Sequence, residues 1–280
     1  LEQNESILLK DMQIKINRKD IEWYKEIASI FGKVIHIIAN MIAENNEIKV
    51  GQIIFEFESI IKQAIHEYSF PFMKQKNSIG ESFTRSLCVS INNCVAHGKP
   101  NFKTKIIKGD IVKIDGGISA IAPSKRIMYF DSAITVACGS SKTKEKLDPI
   151  VIAPAFSIKE MLKLEGTINT KQLSKIIENT AEIFGFDIVT ELCGHGIGYQ
   201  LHNDPFITNM TTPEAAVDLI PGTFICPEPM YVKNGKGSQA PCYIDSDGWS
   251  VITNNISSHW ETILYYDGNN LIDVVGIISI

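Results

Sequence analysis

No Cys-x-x-Cys pair occurs in this chain; its six cysteines, Cys88, Cys94, Cys138, Cys193, Cys226 and Cys242, are scattered. That spacing offers neither a disulfide framework nor a zinc ribbon, and predicts reduced, mostly buried thiols. No apolar run reads as long enough to span a membrane; the tail from Leu271 to Ile280 is short and carries Asp273. The opening Leu1-Glu2-Gln3-Asn4-Glu5 lacks the basic stretch and apolar core of a signal peptide. Leu1 is not an initiator Met, so a trimmed or altered start is expected. Basic residues are not in excess: 27 Lys and Arg face 32 Asp and Glu, for a net charge of −5. Such a balance gives no general reason to bind nucleic acid or an anionic membrane. There is no long Gly/Ser/Pro linker and no solenoid-type repeat. A cytoplasmic chain with one sizeable core, or two modest ones, is the expectation from 280 residues with 44% hydrophobic content.

What is present is a pattern repeated in each half, helix, helix, then strands. Residues 1–18 are polar and read as a loosely held arm, followed by one domain over 19–280. Ile27, Phe31, Val34, Ile35 and Ile38 recur at helical spacing after Asp20, which predicts a helix to about Ala43 with Asp20 as its cap. A second helix follows Gly51. A β-rich section begins near Phe83, and Asp110 to Asp115 alternates until Gly116-Gly117, where the strand is expected to stop. With Ile127 to Cys138 as the next strand, Asp115 and Asp131 fall on one hairpin. Helical patterning returns over about Lys144 to Leu164 and over Thr170 to Phe184, the second opened by Asn169 and closed by Gly185. An α+β fold of two lobes accounts for the order.

The chemistry-bearing residues are unevenly placed. Asp115 and Asp131 lie in otherwise apolar runs, where burial costs several kcal/mol unless a cation compensates; a water-facing edge position is the alternative for either. Glu228 stands between Pro227 and Pro229, which fixes its backbone, though a plain turn residue would sit there as well. Glu261 is flanked by Trp260 and, two residues on, Ile263. His195 lies in Gly-His-Gly-Ile-Gly, with glycines that permit close backbone approach. His202 follows, and His97 sits in Ala-His-Gly. Tyr199 suggests no role, and His36 and His66 on helical stretches read as structural. Four carboxylates and one imidazole suit hard or borderline divalent cations and can bridge a metal pair, which points to a hydrolytic centre.

The ordered set Ser90-Ile91-Asn92 to His97-Gly98, Ile114-Asp115, Asp131, Gly-His-Gly-Ile-Gly, Glu228-Pro229-Met230, Asp247-Gly248-Trp249 and Trp260-Glu261-Thr262 resembles the methionine aminopeptidases. The shorter type I form of that M24 family is the better match, over about residues 20–275. The resemblance implies a pita-bread fold, with two pseudo-symmetric αβ lobes around a dinuclear site. It implies Asp115, Asp131, His195, Glu228 and Glu261 as ligands of two divalent ions (Mn, Fe, Co or Zn), Asp131 and Glu261 bridging. His97 and His202 would contact the scissile amide and stabilise its oxygen in the tetrahedral state, and Glu228 would shuttle a proton. The substrate side chain would meet Phe83, Cys88, Leu201 and Trp249. The implied substrate is the N-terminal peptide of nascent proteins, near the ribosome, handled by a monomer. Departures are visible: Phe130 replaces a usual Gly, Thr262 a usual His, His259-Trp260 a usual Gln-Tyr, Phe83 a usual Tyr and Leu201 a usual Phe. A proline-specific or relaxed-specificity peptidase of the same fold is the alternative, and a non-catalytic binding protein a more distant one.

Overall fold

The computed structural model of the chain describes residues 13–71, 86–142, 147–233, 235 and 237–276. Helix α1 (Arg18–Glu44) leads to α2 (Val50–Ala64) and then to β1 (Leu87–Ile91), β2 (Cys94–Ala96), β3 (Ile111–Ile121) and β4 (Ile127–Ala137). The second half repeats the order with α3 (Pro149–Met161), α4 (Thr170–Phe184), β5 (Cys193–Ile197), β6 (Asn203–Thr208), β7 (Thr223–Cys226), β8 (Ser257–His259), β9 (Leu264–Tyr266) and β10 (Leu271–Asp273). Other short strands are left out of this numbering.

Helix α1 forms because Tyr24, Ala28, Phe31, Ile35, Ile38 and Ile42 share one buried stripe. Its cap is Asn17, whose side chain accepts from the Lys19 N–H; Asp20 lies inside the first turn instead. By length and apolarity α1 could cross a bilayer, contrary to the reading of the sequence. Here the apolar side is core: Tyr24 stacks on Phe130 of β4 at 4.4 Å and meets Phe224 of β7 at 4.5 Å between ring centroids. One helix thereby packs on both lobes. Residues 13–17, expected to be loose, are held as well: Gln13 donates to the Asp218 carbonyl and accepts from the Ile220 N–H, and Ile16 is buried. The rest of the predicted arm, 1–12, lies outside the described residues.

Strand β3 does not end at Gly116-Gly117 but pairs with β4 from Ile111↔Ala137 to Ile121↔Ile127. Its backbone ladder continues through the glycines because partners are available at every step. Helix α3 begins later than its pattern suggested, at Pro149, with the Asp148 side chain accepting from the Ile150 N–H; Lys144 lies outside the described residues. Helix α4 matches its expected bounds, with an Asn169–Gln172 capping box and left-handed Gly185 at its end. The second-lobe sheet runs β6-β5-β7-β9-β10, all antiparallel. A second core under α3 and α4 gathers Ile150, Ile158, Leu173, Ile177, Ile225 and Leu264. This is the two-lobed pita-bread fold.

Candidate metal centre

In the β3–β4 ladder Asp115 faces Ala133 and Gly117 faces Asp131, so the two aspartates lie diagonally on one face. Both are buried rather than on a wetted edge. Ala133 exchanges both of its backbone hydrogen bonds with Glu261, at 3.1 and 2.9 Å, which sutures the second lobe to β4. Oxygens of Asp115, Asp131 and Glu261 consequently lie within 4.8 Å of one another. Ser132 Oγ strengthens the suture by donating to the Glu261 carbonyl at 2.9 Å.

His195 arrives from the second-lobe sheet, where it pairs with Cys226; the chain then turns through Pro227 to deliver Glu228. His195 Nε2 lies 3.1 Å from Glu228 Oε1 and 3.4 Å from Glu261 Oε1. The neighbouring glycines make this approach possible. A Cβ on Gly194 would stand 2.4 Å from the Cys226 carbonyl oxygen, and one on Gly196 would stand 2.3 Å from that of Asp204. His195 Nδ1 is 3.0 Å from the Gly196 carbonyl, the contact expected of a donating Nδ1–H. With Nδ1–H so engaged, Nε2 is the nitrogen left to face the carboxylates and a cation among them.

The electrostatics call for a cation. Asp115 Oδ1, Asp131 Oδ1, His195 Nε2 and Glu261 Oε1 are buried without a hydrogen-bond partner. Burial, then repulsion from Glu261, raises Asp131 and Asp115 well above the usual carboxylate range. The same causes in the same order push Glu228 up to about 7. Burial opposes an imidazolium at His195, but Glu228 and Glu261 outweigh it and raise its pKa. A set that crowds negative charge and unpaired donor atoms out of water is satisfied by divalent metal, and the donor types fit one.

His97 and His202 are exposed at the edge of this cluster. His202 meets His195 edge-on at 4.4 Å between ring centroids. Desolvation, then His195 and His97, pushes its pKa down to about 4, so it is neutral at neutral pH. His97 follows β2 with a positive φ of 54°, its loop fixed by the Gly98 N–H donating to Ser90 Oγ at 2.9 Å. Cys88 stands opposite Asp115 on β1 and packs with Leu201 and Trp249 in a small apolar cluster. Phe83 lies outside the described residues.

Three residues given no site role in the sequence come into view. Tyr199 donates to Asp20 Oδ2 at 2.7 Å, accepts from the Asn17 N–H at 3.1 Å, and carries the Arg126 guanidinium 3.3 Å from its ring centroid. It ties the loop after β5 to α1 and to the β3–β4 turn. Lys113 is fully buried, donates to the Asn92 carbonyl at 2.7 Å, and has its pKa lowered to about 7 by desolvation. Strand alternation, which sets Lys113 on the face of Asp115, was the available signal. His259 is buried beside Glu228, its pKa pushed down to about 3 by desolvation, then by His97 and Lys113.

A carboxylate-rich cluster with one central imidazole, sutured between two like lobes, defines a metal-dependent hydrolase. The chain belongs to Metallopeptidase family M24, which it matches over residues 22–261. It is 31% identical to the methionine aminopeptidase of Mycoplasma capricolum over 251 residues, 89% of this chain and 92% of that one. Against the methionine aminopeptidase of Aquifex aeolicus it is 32% identical over 263 residues, covering 88% and 92% of the two chains. The crystal structure of the Thermotoga maritima methionine aminopeptidase superposes with a TM-score of 0.79 at 24% identity, covering 94% of this chain and 99% of that one. A prolidase from Pyrococcus furiosus shares the fold at a TM-score of 0.62 and 16% identity, over 96% of this chain and 67% of the prolidase.

Proposed function

We propose that this chain removes N-terminal methionine from nascent polypeptides, most readily when the second residue is small, with residues 19–280 as its catalytic domain. The observation that carries the reading is one juxtaposition: buried, unpartnered Asp115, Asp131, His195 and Glu261 beside the apolar Cys88–Leu201–Trp249 cluster. Asp115, Asp131, His195, Glu228 and Glu261 hold two divalent ions of the manganese, iron, cobalt or zinc class. Such ions supply Lewis acidity and a water of lowered pKa.

The chain's own groups do the rest. Glu228, whose carboxylate reaches the centre beside His195, takes and returns a proton. His202, neutral at neutral pH, and His97 meet the scissile amide and stabilise charge on its oxygen. Cys88, Leu201 and Trp249, with Phe83, receive the side chain of the first residue. The acidic overall charge and the nascent-chain substrate fit a cytoplasmic monomer working near the ribosome without binding nucleic acid itself.

The test is hydrolysis of Met-Ala-Ser, Leu-Ala-Ser, Ala-Pro-Ser and N-acetyl-Met-Ala-Ser by chelated and metal-reconstituted protein. Metal-dependent cleavage of Met-Ala-Ser alone is expected. Cleavage of the leucine or proline peptide in its place keeps the hydrolase and overturns the methionine preference. Cleavage of the acetylated peptide, which has no free N-terminal amine, overturns the aminopeptidase reading.

A further inference from the structure

The centre contains a second buried imidazole outside the five-residue set. His259 ends β8 two residues before Glu261, at the position where the family resemblance led to an expectation of Gln. It is 2% exposed. Its backbone N–H donates to Thr135 Oγ1 at 2.9 Å, and its carbonyl accepts from that hydroxyl at 2.7 Å. The backbone of His259 is thus fixed on β4, the strand that also bears Asp131.

Neither His259 Nδ1 nor Nε2 has a hydrogen-bond partner, and both are buried. Nε2 lies 3.7 Å from Glu228 Oε2, while Glu228 Oε1 lies 3.1 Å from His195 Nε2. Glu228 therefore stands between two imidazoles. At 3.7 Å the His259 contact is too long for a hydrogen bond. It is close to the separation of about 3.4 Å between two ligands that each lie about 2.1 Å from one tetrahedral ion. Ligand atoms of Glu228, His259 and Glu261 all fall within 4.8 Å of one another. A buried ring with unsatisfied nitrogens is costly in a folded protein, and a cation at Nε2 relieves that nitrogen together with the carboxylates.

We propose that His259 is a further metal ligand of this chain, joining Glu228 and Glu261 around one ion, so that the centre has two imidazoles. This rests on the five-residue site proposed above. The consequence is a change in metal preference. A second imidazole favours zinc and other nitrogen-preferring ions over manganese, which suits carboxylate and water.

The test reads the metal rather than catalysis. Imidazole nitrogen NMR on zinc-loaded, histidine-labelled whole protein distinguishes ligating from free rings, and six histidines are few enough to resolve. Two ligating imidazoles are expected, with the second signal lost in His259→Gln. If that buried variant does not fold, single Gln variants of His36, His66, His97 and His202 assign the pair by elimination. Zinc affinity in His259→Gln should fall by about tenfold or more, judged by chelator competition, with manganese affinity changed far less. A single ligating imidazole, at His195, overturns the role of His259 and leaves the five-residue site standing. Wild-type protein that binds no divalent ion overturns both.

Discussion

At the scale of single residues, side chains that touch the same pocket divide by what they lack. Asp131 and Glu261 each have a buried oxygen with no partner, whereas His97 and His202 stand at the exposed edge. On the proposed reading the first pair serves the ion and the second the substrate. Asp131→Asn keeps the shape but removes a charge, so it should weaken metal binding by roughly 100-fold or more and abolish turnover; intact metal content with normal activity would sink the two-metal assignment. His97→Ala should retain the metal, measured by elemental analysis, while the rate falls by about 10²–10³-fold, as expected for loss of one oxyanion-type donor. Loss of metal in that variant would contradict its substrate role. That these residues would gather was legible because Asp, Glu and His in apolar or glycine-framed runs are conspicuous in a sequence. Tyr199 was not legible, since its partners Asn17, Asp20 and Arg126 are distant in the chain and nothing local announces them.

At the scale of elements, legibility followed how locally each end is determined. Helix α4 was readable at both ends because Asn169, Gln172 and Gly185 satisfy its terminal groups from within a few residues. The end of β3 was not, because its continuation through Gly116-Gly117 depends on pairing with β4. Asp20 illustrates the same limit: it has the chemistry of a cap, yet Asn17 caps α1 and leaves Asp20 to the loops around it. Asp20 accepts from the Ser124 N–H at 3.1 Å and from Tyr199 at 2.7 Å. Burial opposes its charge, but those hydrogen bonds and nearby Arg126 win, and its pKa is lowered. A lowered carboxyl stabilises the fold above its unfolded pKa, near about 3.9, and ceases to do so as pH falls through the folded value. Asp20→Asn should therefore cost about 1–2 kcal/mol by a constant margin from pH 5 to pH 8. The margin should close below about pH 4. A margin that grows as the solution is acidified would reverse the sign and refute the assignment.

At the scale of the whole molecule, the centre is where the two lobes are joined. Asp115 and Asp131 come from the first lobe, His195, Glu228 and Glu261 from the second, and the Ala133–Glu261 backbone pair fastens them. The repeated order of helices and strands told of two lobes, but no local pattern told that this pair would close them. Carboxylates from both sides repel across that junction, so the metal-free protein carries a destabilising charge cluster, and an ion bound there would act as a fastener between halves. Binding to the native state alone stabilises by about 2.7 kcal/mol when free metal is at 100 times its dissociation constant. For a protein of roughly this length each kcal/mol moves the melting temperature by about 2–4 °C. Chelation should then lower Tm by on the order of 5–10 °C, and re-addition of zinc or manganese should restore it. Glu261→Ala should have a smaller chelator-dependent shift, because one lobe then loses its most central carboxylate. An unchanged Tm on chelation of fully loaded wild-type protein would mean that the ion does not prefer the folded state, and the suture would then be purely a matter of backbone and packing.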